Sequence, residues 1–529
     1  MLIPYLFSAF SIFLAFTVIV RGIPTPTVSF EVSPDPQRKS SLYPSCFPLV
    51  LSIDTAFICY DDLMAELGSA LKISPRDGTM GPVLNEPYHA PFVRQPLPLS
   101  ATTALVFSNS PTSSYFGVLS SAFASPCAPR YNSTAQCATD PVNSVAYVPY
   151  GVINGADSVN AINEKDVTKS APMWSAAFSG EQPYNFDTLL HTPVYYQGSL
   201  LFIHNNTFYK YDGTTGSLQL KITDPCGVGP DKGQYMQLAV ATFGEDTNGP
   251  LDAFLVYGNT TVSNRAQFDI CRVSHNSGVM EWKWTYWDDV VVQDVSGGGS
   301  LIFVTGYALT TAPVNYVSLI LDASNGNPYG IIRRSWDDEY SFPVALPKPI
   351  TASCGAAIAM QVNGNLSAFC ASDIRNYSLA PAWTSQFECN FRPIVDPLTN
   401  QIVCSSIALY VVSVNAANGN GVWYDESNVV VTQPEYYATN GVSYAFVTDW
   451  DSTLWGFKIA APPSPPPPAP PQGESKGMTN GEVAALVICL LIAVGAAAGV
   501  ALLYLRRSMR REAYRPENLG NVAYGALNQ

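Results

Sequence analysis

LDASNG, residues 321–326, ends a run of strand-forming side chains with an aspartate, a short turn and a glycine, and the same arrangement recurs along the chain. It returns as YDGTTG at 211–216, as VSHNSG at 273–278 and as VNAANG at 414–419. The glycine stands where the turn needs positive φ, and the Asp, Asn or Ser four positions earlier caps the turn through its side-chain oxygen. From Asp212 to Ser274 is 62 residues and from Ser274 to Asp322 48; Asn415 lies 93 further on, close to two periods, with a degenerate copy around Cys370 between. A tryptophan follows at a near-constant offset, as Asn160 then Trp174, Ser274 then Trp287, Asp322 then Trp336, and Cys370 then Trp383. Two copies share Trp-Asp-Asp, at Trp287-Asp288-Asp289 and Trp336-Asp337-Asp338. A period of about 40–50 residues holding four short strands is the sequence pattern of a β-propeller blade.

The surroundings agree with that fold. Residues 23–461 are rich in aromatic and β-branched side chains punctuated by Gly, Asn and Asp, and lack helical periodicity. Residues 58–71 are the main stretch whose pattern is ambiguous between helix and strand. The expectation is an all-β ectodomain, a seven- or eight-bladed β-propeller, followed by one transmembrane helix.

That helix is read at 483–505, 23 residues without a charged side chain, long enough at about 1.5 Å per residue to span a hydrocarbon core. Arg506, Arg507, Arg510 and Arg511 follow it and mark the cytoplasmic side, which puts the tail, 506–529, inside and everything before 483 outside or in a lumen. The apolar run at 6–20, with Val20 and Gly22 at cleavage-site spacing, reads as a signal peptide over 1–22, although no Lys or Arg precedes it. PPSPPPPAPP at 462–471 opens a stalk, 462–482, whose polyproline II run reaches about 30 Å at about 3.1 Å per residue. Gly495 and Gly499 form a GxxxG pair inside a Gly/Ala-rich stretch where such spacing arises easily. In the tail, Tyr524-Gly525-Ala526-Leu527 matches the YxxΦ pattern recognised by clathrin adaptors, so Tyr524 and Leu527 are the expected sorting pair.

The ectodomain carries the marks of an oxidising, glycosylating compartment. Of the 11 cysteines, Cys489 lies in the apolar span; Cys46, Cys59, Cys127, Cys137, Cys226, Cys271, Cys354, Cys370, Cys389 and Cys404 are disulfide candidates. Cys354 with Cys370, and Cys389 with Cys404, each flank a turn signal and are expected to staple one hairpin apiece. Sequons begin at Asn132, Asn205, Asn259, Asn365 and Asn376, and none occurs in the tail. A formal net charge of −14 and the absence of a Lys/Arg cluster before the span argue against nucleic acid as a partner. No CxxC occurs and the histidines number only four, a poor supply of zinc ligands.

The blade pattern resembles the quinoprotein alcohol dehydrogenase-like propellers, in which a strand ends in Leu-Asp-Ala, a Thr-Gly or Asn-Gly turn follows, and a tryptophan docks each blade on its neighbour. The segments 200–216, 321–326 and 452–457 are most similar, and the resemblance covers about 145–459. It implies pyrroloquinoline quinone, a calcium site, a catalytic aspartate and a vicinal cysteine pair over the quinone. The chain has no adjacent cysteines and no CxxCH haem segment, so neither cofactor is supported by its residues. Asp288, Asp289, Asp337 and Asp338 are read as solvated turn residues rather than ligands, GxSxG is absent, and no residue is nominated as catalytic. The function expected is that of a single-pass membrane glycoprotein at the plasma membrane or an endolysosomal membrane, its propeller binding a protein or glycan partner in a receptor, adhesion or sorting role. The alternatives are a membrane-tethered quinoprotein-type oxidoreductase and a structural subunit of a secretory-pathway membrane complex.

Overall fold

A computed structural model describes residues 23–34, 42–62, 67–85, 96–110, 113–119, 124–131, 137–150, 158–163, 172–177, 193–204, 206–227, 237–242, 252–262, 265–298, 300–308, 315–335, 350–362, 365–406, 409–426 and 432–460. The chain divides into two units, Met1–Ala461 and Pro462–Gln529, and every described residue belongs to the first. The segments expected to be signal peptide, stalk and transmembrane helix, and the expected sorting pair, therefore lie outside the described residues. Among those described, no helix is long and apolar enough to cross a membrane.

The first unit is an all-β propeller, and its described strands form nine antiparallel sheets where the sequence suggests seven or eight blades. In chain order these blades occupy 42–85, 97–131, 138–177, 194–223, 237–286, 290–335, 350–388, 394–425 and 435–459. Blades 2 to 8 run as four-stranded meanders, and blade 1 does so with its first strand split into two pieces that both pair the next; alternate side chains face the two neighbouring blades. Nine apolar cores fill the nine junctions, each drawing on two successive blades. The core between blades 9 and 1, with Phe446 and Leu454 on one side and Ile58 and Leu71 on the other, makes the series a closed ring. Closure removes the exposed sheet faces that an open stack would leave at its ends.

The ring is latched by the chain's beginning. Blade 9 supplies only three strands from 435–459; its fourth is Thr27–Val32, paired antiparallel with Leu454–Ile459, Thr27 opposite Lys458 and Val32 opposite Leu454. Upstream of that strand, Pro24 accepts a backbone hydrogen bond from Tyr424 of blade 8, and Ile23 packs on the core between blades 7 and 8. The ambiguous stretch at 58–71 is strand, the hairpin of Thr55–Asp62 with Leu67–Ile73 in blade 1. Its apolar run, Ala56 to Cys59, is buried on both faces between blades, which removes the alternation that identifies a strand in sequence. One short helix, α1 (Ala371–Arg375), replaces the turn between the third and fourth strands of blade 7.

The repeated turns join the blades to one another. In each, the glycine N–H returns to the carbonyl of the capping residue: Gly216 to Asp212 at 2.9 Å, Gly278 to Ser274 at 2.7 Å, Gly326 to Asp322 at 2.9 Å and Gly419 to Asn415 at 2.8 Å. The capping side chains behave as expected, Asp322 Oδ1 accepting from Ser324 N at 2.7 Å and Asn415 Oδ1 from Ala417 N at 2.8 Å. The preceding blade lays a tryptophan on this turn. Trp174, Trp282 and Trp383 donate their indole N–H to Gly213, Ala323 and Ala416 at 3.0, 3.0 and 2.9 Å. The ring covers the glycine so closely that a Cβ at Gly216, Gly326 or Gly419 would lie 2.4 Å from it. Trp282, not Trp287, docks blade 5; Trp287 is 60% exposed and stands beyond the end of the strand. At blade 4, which has no such tryptophan, Leu220 and Ile222 take the place against Gly278.

Candidate functional site

The meander gives the ring two unlike faces. Within a blade the turn joining strands one and two lies beside the turn joining strands three and four: Gly213 N–H bonds Gly198 O at 2.8 Å, Ala323 N–H bonds Ser300 O at 3.0 Å and Ala416 N–H bonds Asn400 O at 3.0 Å. This turn face is built of the short glycine turns and the docked tryptophans. Strands two and three, and successive blades, are joined at the opposite ends of the strands, and this connection face holds the less regular segments. Propellers use such segments on a rigid disc to present binding groups.

One candidate site on the connection face straddles the latch. Tyr43 faces Asp61 across the sheet of blade 1, and its ring meets Trp450, in the turn between the second and third strands of blade 9, edge-on at 5.0 Å. Trp450 is 37% exposed and sits between Asp449 and Asp451. Asp449 shapes the turn, accepting from Asp451 N at 2.9 Å, Thr453 N at 2.9 Å and Trp455 Nε1 at 2.8 Å. Nearby, Phe47 of blade 1 meets Phe391, in the connection into blade 8, with ring centroids 6.2 Å apart, reaching past blade 9. The disulfides Cys46–Cys59 and Cys389–Cys404 adjoin these two phenylalanines and restrain the backbone on either side. A second aromatic group stands between blades 5 and 6, where Trp287 and Val291 are exposed. Asp288, expected to be solvated, is instead only 3% exposed, because it turns inward where the chain enters the next inner strand; Asp289 has the more open position. Trp336, Asp337 and Asp338 lie outside the described residues.

Three carboxyls of this face, Asp61, Asp449 and Asp289, are shifted in the opposite direction to Asp212 of the turn face. Burial pushes the Asp61 carboxyl up to about 6; Ser45 lies close enough to offset part of the rise without completing a hydrogen bond to the buried Oδ1. Burial also raises Asp449, and burial with the Asp288 charge raises Asp289. On the turn face, Asp212 is held below the usual carboxylate range by the backbone N–H of Thr215 and by its hydroxyl. A carboxyl whose value is higher folded than unfolded takes up its proton more readily in the fold, so its protonation adds stability as pH falls. For Asp61 the window runs from about 6 down to the ordinary 3.8. Stability is expected to rise by about 1–3 kcal/mol between pH 7.5 and pH 5, and Asp61→Asn to remove much of that rise. Below pH 4 the lowered turn carboxylates reverse the trend. Urea unfolding at each pH checks this, and an unchanged slope in Asp61→Asn contradicts it.

The disulfide candidates resolve into four bonds among the described residues: Cys46–Cys59, Cys226–Cys271, Cys354–Cys370 and Cys389–Cys404. The last two are the hairpin staples expected from the turn signals. Cys137 is buried at the start of blade 3, and the Cys127 side chain lies outside the described residues. Asn132 and Asn205 are likewise outside them. Asn259 lies within the strand Asp252–Val262, Asn365 opens the strand Asn365–Cys370, and Asn376 is the exposed C-cap of α1. No three His, Cys, Asp or Glu side chains among the described residues converge as metal ligands.

No protein-family model matches the chain, and no curated protein matches it. Among solved structures it is similar to BamB from Moraxella catarrhalis, at 11% identity over 67% of this chain and 93% of that one, with a TM-score of 0.34. It is also similar to Sqt1 from Saccharomyces cerevisiae, at 11% identity over 83% of this chain and 100% of that one, with a TM-score of 0.42. Likenesses this distant carry nothing about activity, and the functional reading rests on the molecule's own surface.

Proposed function

We propose that this protein is a single-pass type I membrane glycoprotein of the plasma membrane or an endolysosomal membrane, and that its propeller binds a protein or glycan partner through the connection face. The observation that carries this reading is the exposure of Trp450 and Trp287 on that face beside carboxylates, while Trp174, Trp282 and Trp383 on the turn face are committed to blade docking. An exposed indole presents a large, rigid apolar surface with a polar edge, which is why tryptophan is enriched among the residues that dominate binding. The proline-rich stalk then serves as a spacer, the arginines after the apolar span fix the orientation, and Tyr524 with Leu527 engages a clathrin adaptor.

The test uses full-length protein on living cells. Trp287→Ala/Trp450→Ala is expected to retain wild-type surface abundance and to lose at least about tenfold in retained partner, the effect of removing two aromatic anchors of about 1–2 kcal/mol each. Undiminished partner recovery by a well-expressed double variant rejects the assignment of the face.

A further inference from the structure

Asn259 heads an Asn-Thr-Thr sequon, yet its side chain is already occupied. From the second strand of blade 5 its Nδ2 donates to the carbonyl of Val290 at 3.0 Å, and its Oδ1 accepts from the N–H of the same residue at 2.8 Å. Val290 opens the inner strand of blade 6, is buried, and contributes to the apolar core between the two blades. The carboxamide thus acts as an extra rung of sheet across a blade junction. It satisfies both backbone groups of a residue that water does not reach, and the Val290 N–H fixes which side-chain atom is the oxygen.

An N-linked sugar is incompatible with this rung for a reason of bond geometry. The substituted amide is trans, like a peptide, so the sugar carbon takes the nitrogen position on the same side as Oδ1. That is the position of the hydrogen now donated to Val290. A chain modified there before folding would have to leave the buried Val290 carbonyl unpaired and force a sugar into the junction. Asn376 presents the opposite case: it is exposed at the end of α1, its carboxamide makes no hydrogen bond within the described residues, and Tyr377 beside it is exposed as well. Asn365 is half-buried, and its carboxamide is also unbonded there.

We propose that Asn259 is a blade-to-blade clamp that stays unglycosylated in the folded protein, and that, among the described sequons, Asn365 and Asn376 carry the glycans. This rests on the secretory reading of the chain. The experiment is site-by-site occupancy in full-length protein from eukaryotic cells, by enzymatic deglycosylation in heavy-oxygen water and peptide mass spectrometry. The expected result is heavy-oxygen aspartate at 376 and 365 with unmodified asparagine at 259. Label at 259 equal to that at 376 overturns the clamp alone, whereas no label at any sequon overturns the secretory reading and the proposal with it. Two variants separate clamp from sequon: Thr261→Ala, which removes the sequon and keeps the Asn259 carboxamide, is expected to leave the mass unchanged and to melt above Asn259→Asp, which loses the donor. Equal melting of the two contradicts the clamp.

Discussion

Trp282→Ala is expected to destabilise the ring by about 3–5 kcal/mol, while Trp287→Ala, five residues along, changes stability by less than about 0.5 kcal/mol. Trp282 is buried between blades 5 and 6, its indole N–H bonded to Ala323 O and its ring laid on Gly326. Its removal opens a cavity in a junction that cannot collapse, because Gly326 has no side chain with which to fill the space. It also leaves the Ala323 carbonyl, among the described residues, with the Arg272 guanidinium alone, which donates to it at 2.6 Å. Gly326 itself sits at φ +71°, so refilling the gap from that side would add backbone strain. Trp287 touches water over most of its surface, and its loss should be seen in partner binding and not in unfolding. Equilibrium unfolding of the two variants side by side checks the assignment; similar costs would mean that the docking residue has been misplaced.

Removing residues 23–32 is expected to abolish folding of the ring. Among the described residues, the strand Thr27–Val32 is the only partner of the outer side of Leu454–Ile459, and Val32 and Phe30 contribute to the core that joins the last blade to the first. Phe30 is also packed against Phe446, with ring centroids 5.7 Å apart, over the bare backbone of Gly456. Without the strand, the edge of blade 9 is unpaired and the junction with blade 1 loses part of its apolar cover, which makes an aggregation-prone edge. The milder Phe30→Ala, which keeps the strand, is expected to fold with reduced stability, by about 3 kcal/mol or more. Secretion of the deletion variant with wild-type protease resistance would show that the ring does not depend on this latch.

The propeller was legible in the sequence because its blades repeat a local device. An Asp, Asn or Ser cap with a glycine four residues later is dictated by turn geometry and so appears in the chain itself. The exact blade count was less legible. Blade 2, at 97–131, carries no tryptophan, and blade 1 carries the turn as Ser74 to Gly78, with Gly78 N–H bonded to Ser74 O at 2.9 Å, but without a docking tryptophan. The offset from Ser274 selected Trp287 over Trp282, since spacing alone cannot say which of two nearby indoles lies over a glycine one blade away. The hairpin disulfides were readable because turn signals lay between their cysteines. Cys226–Cys271 spans a blade junction and has no such local signature. The neighbourhood of Tyr43, Asp61, Phe47, Phe391 and Trp450 joins residues far apart in the chain, and only ring closure brings them together.

The proposed recognition role of the connection face is tested most directly by mapping contacts on living cells with a photo-crosslinking amino acid placed singly in the full-length protein. Position 291 serves for the connection face, and positions 142 and 398, both exposed tips of turns, for the turn face. Crosslinks to partner from 291, and their absence from 142 and 398, is the result predicted; crosslinks from the turn-face positions with none from 291 would contradict it.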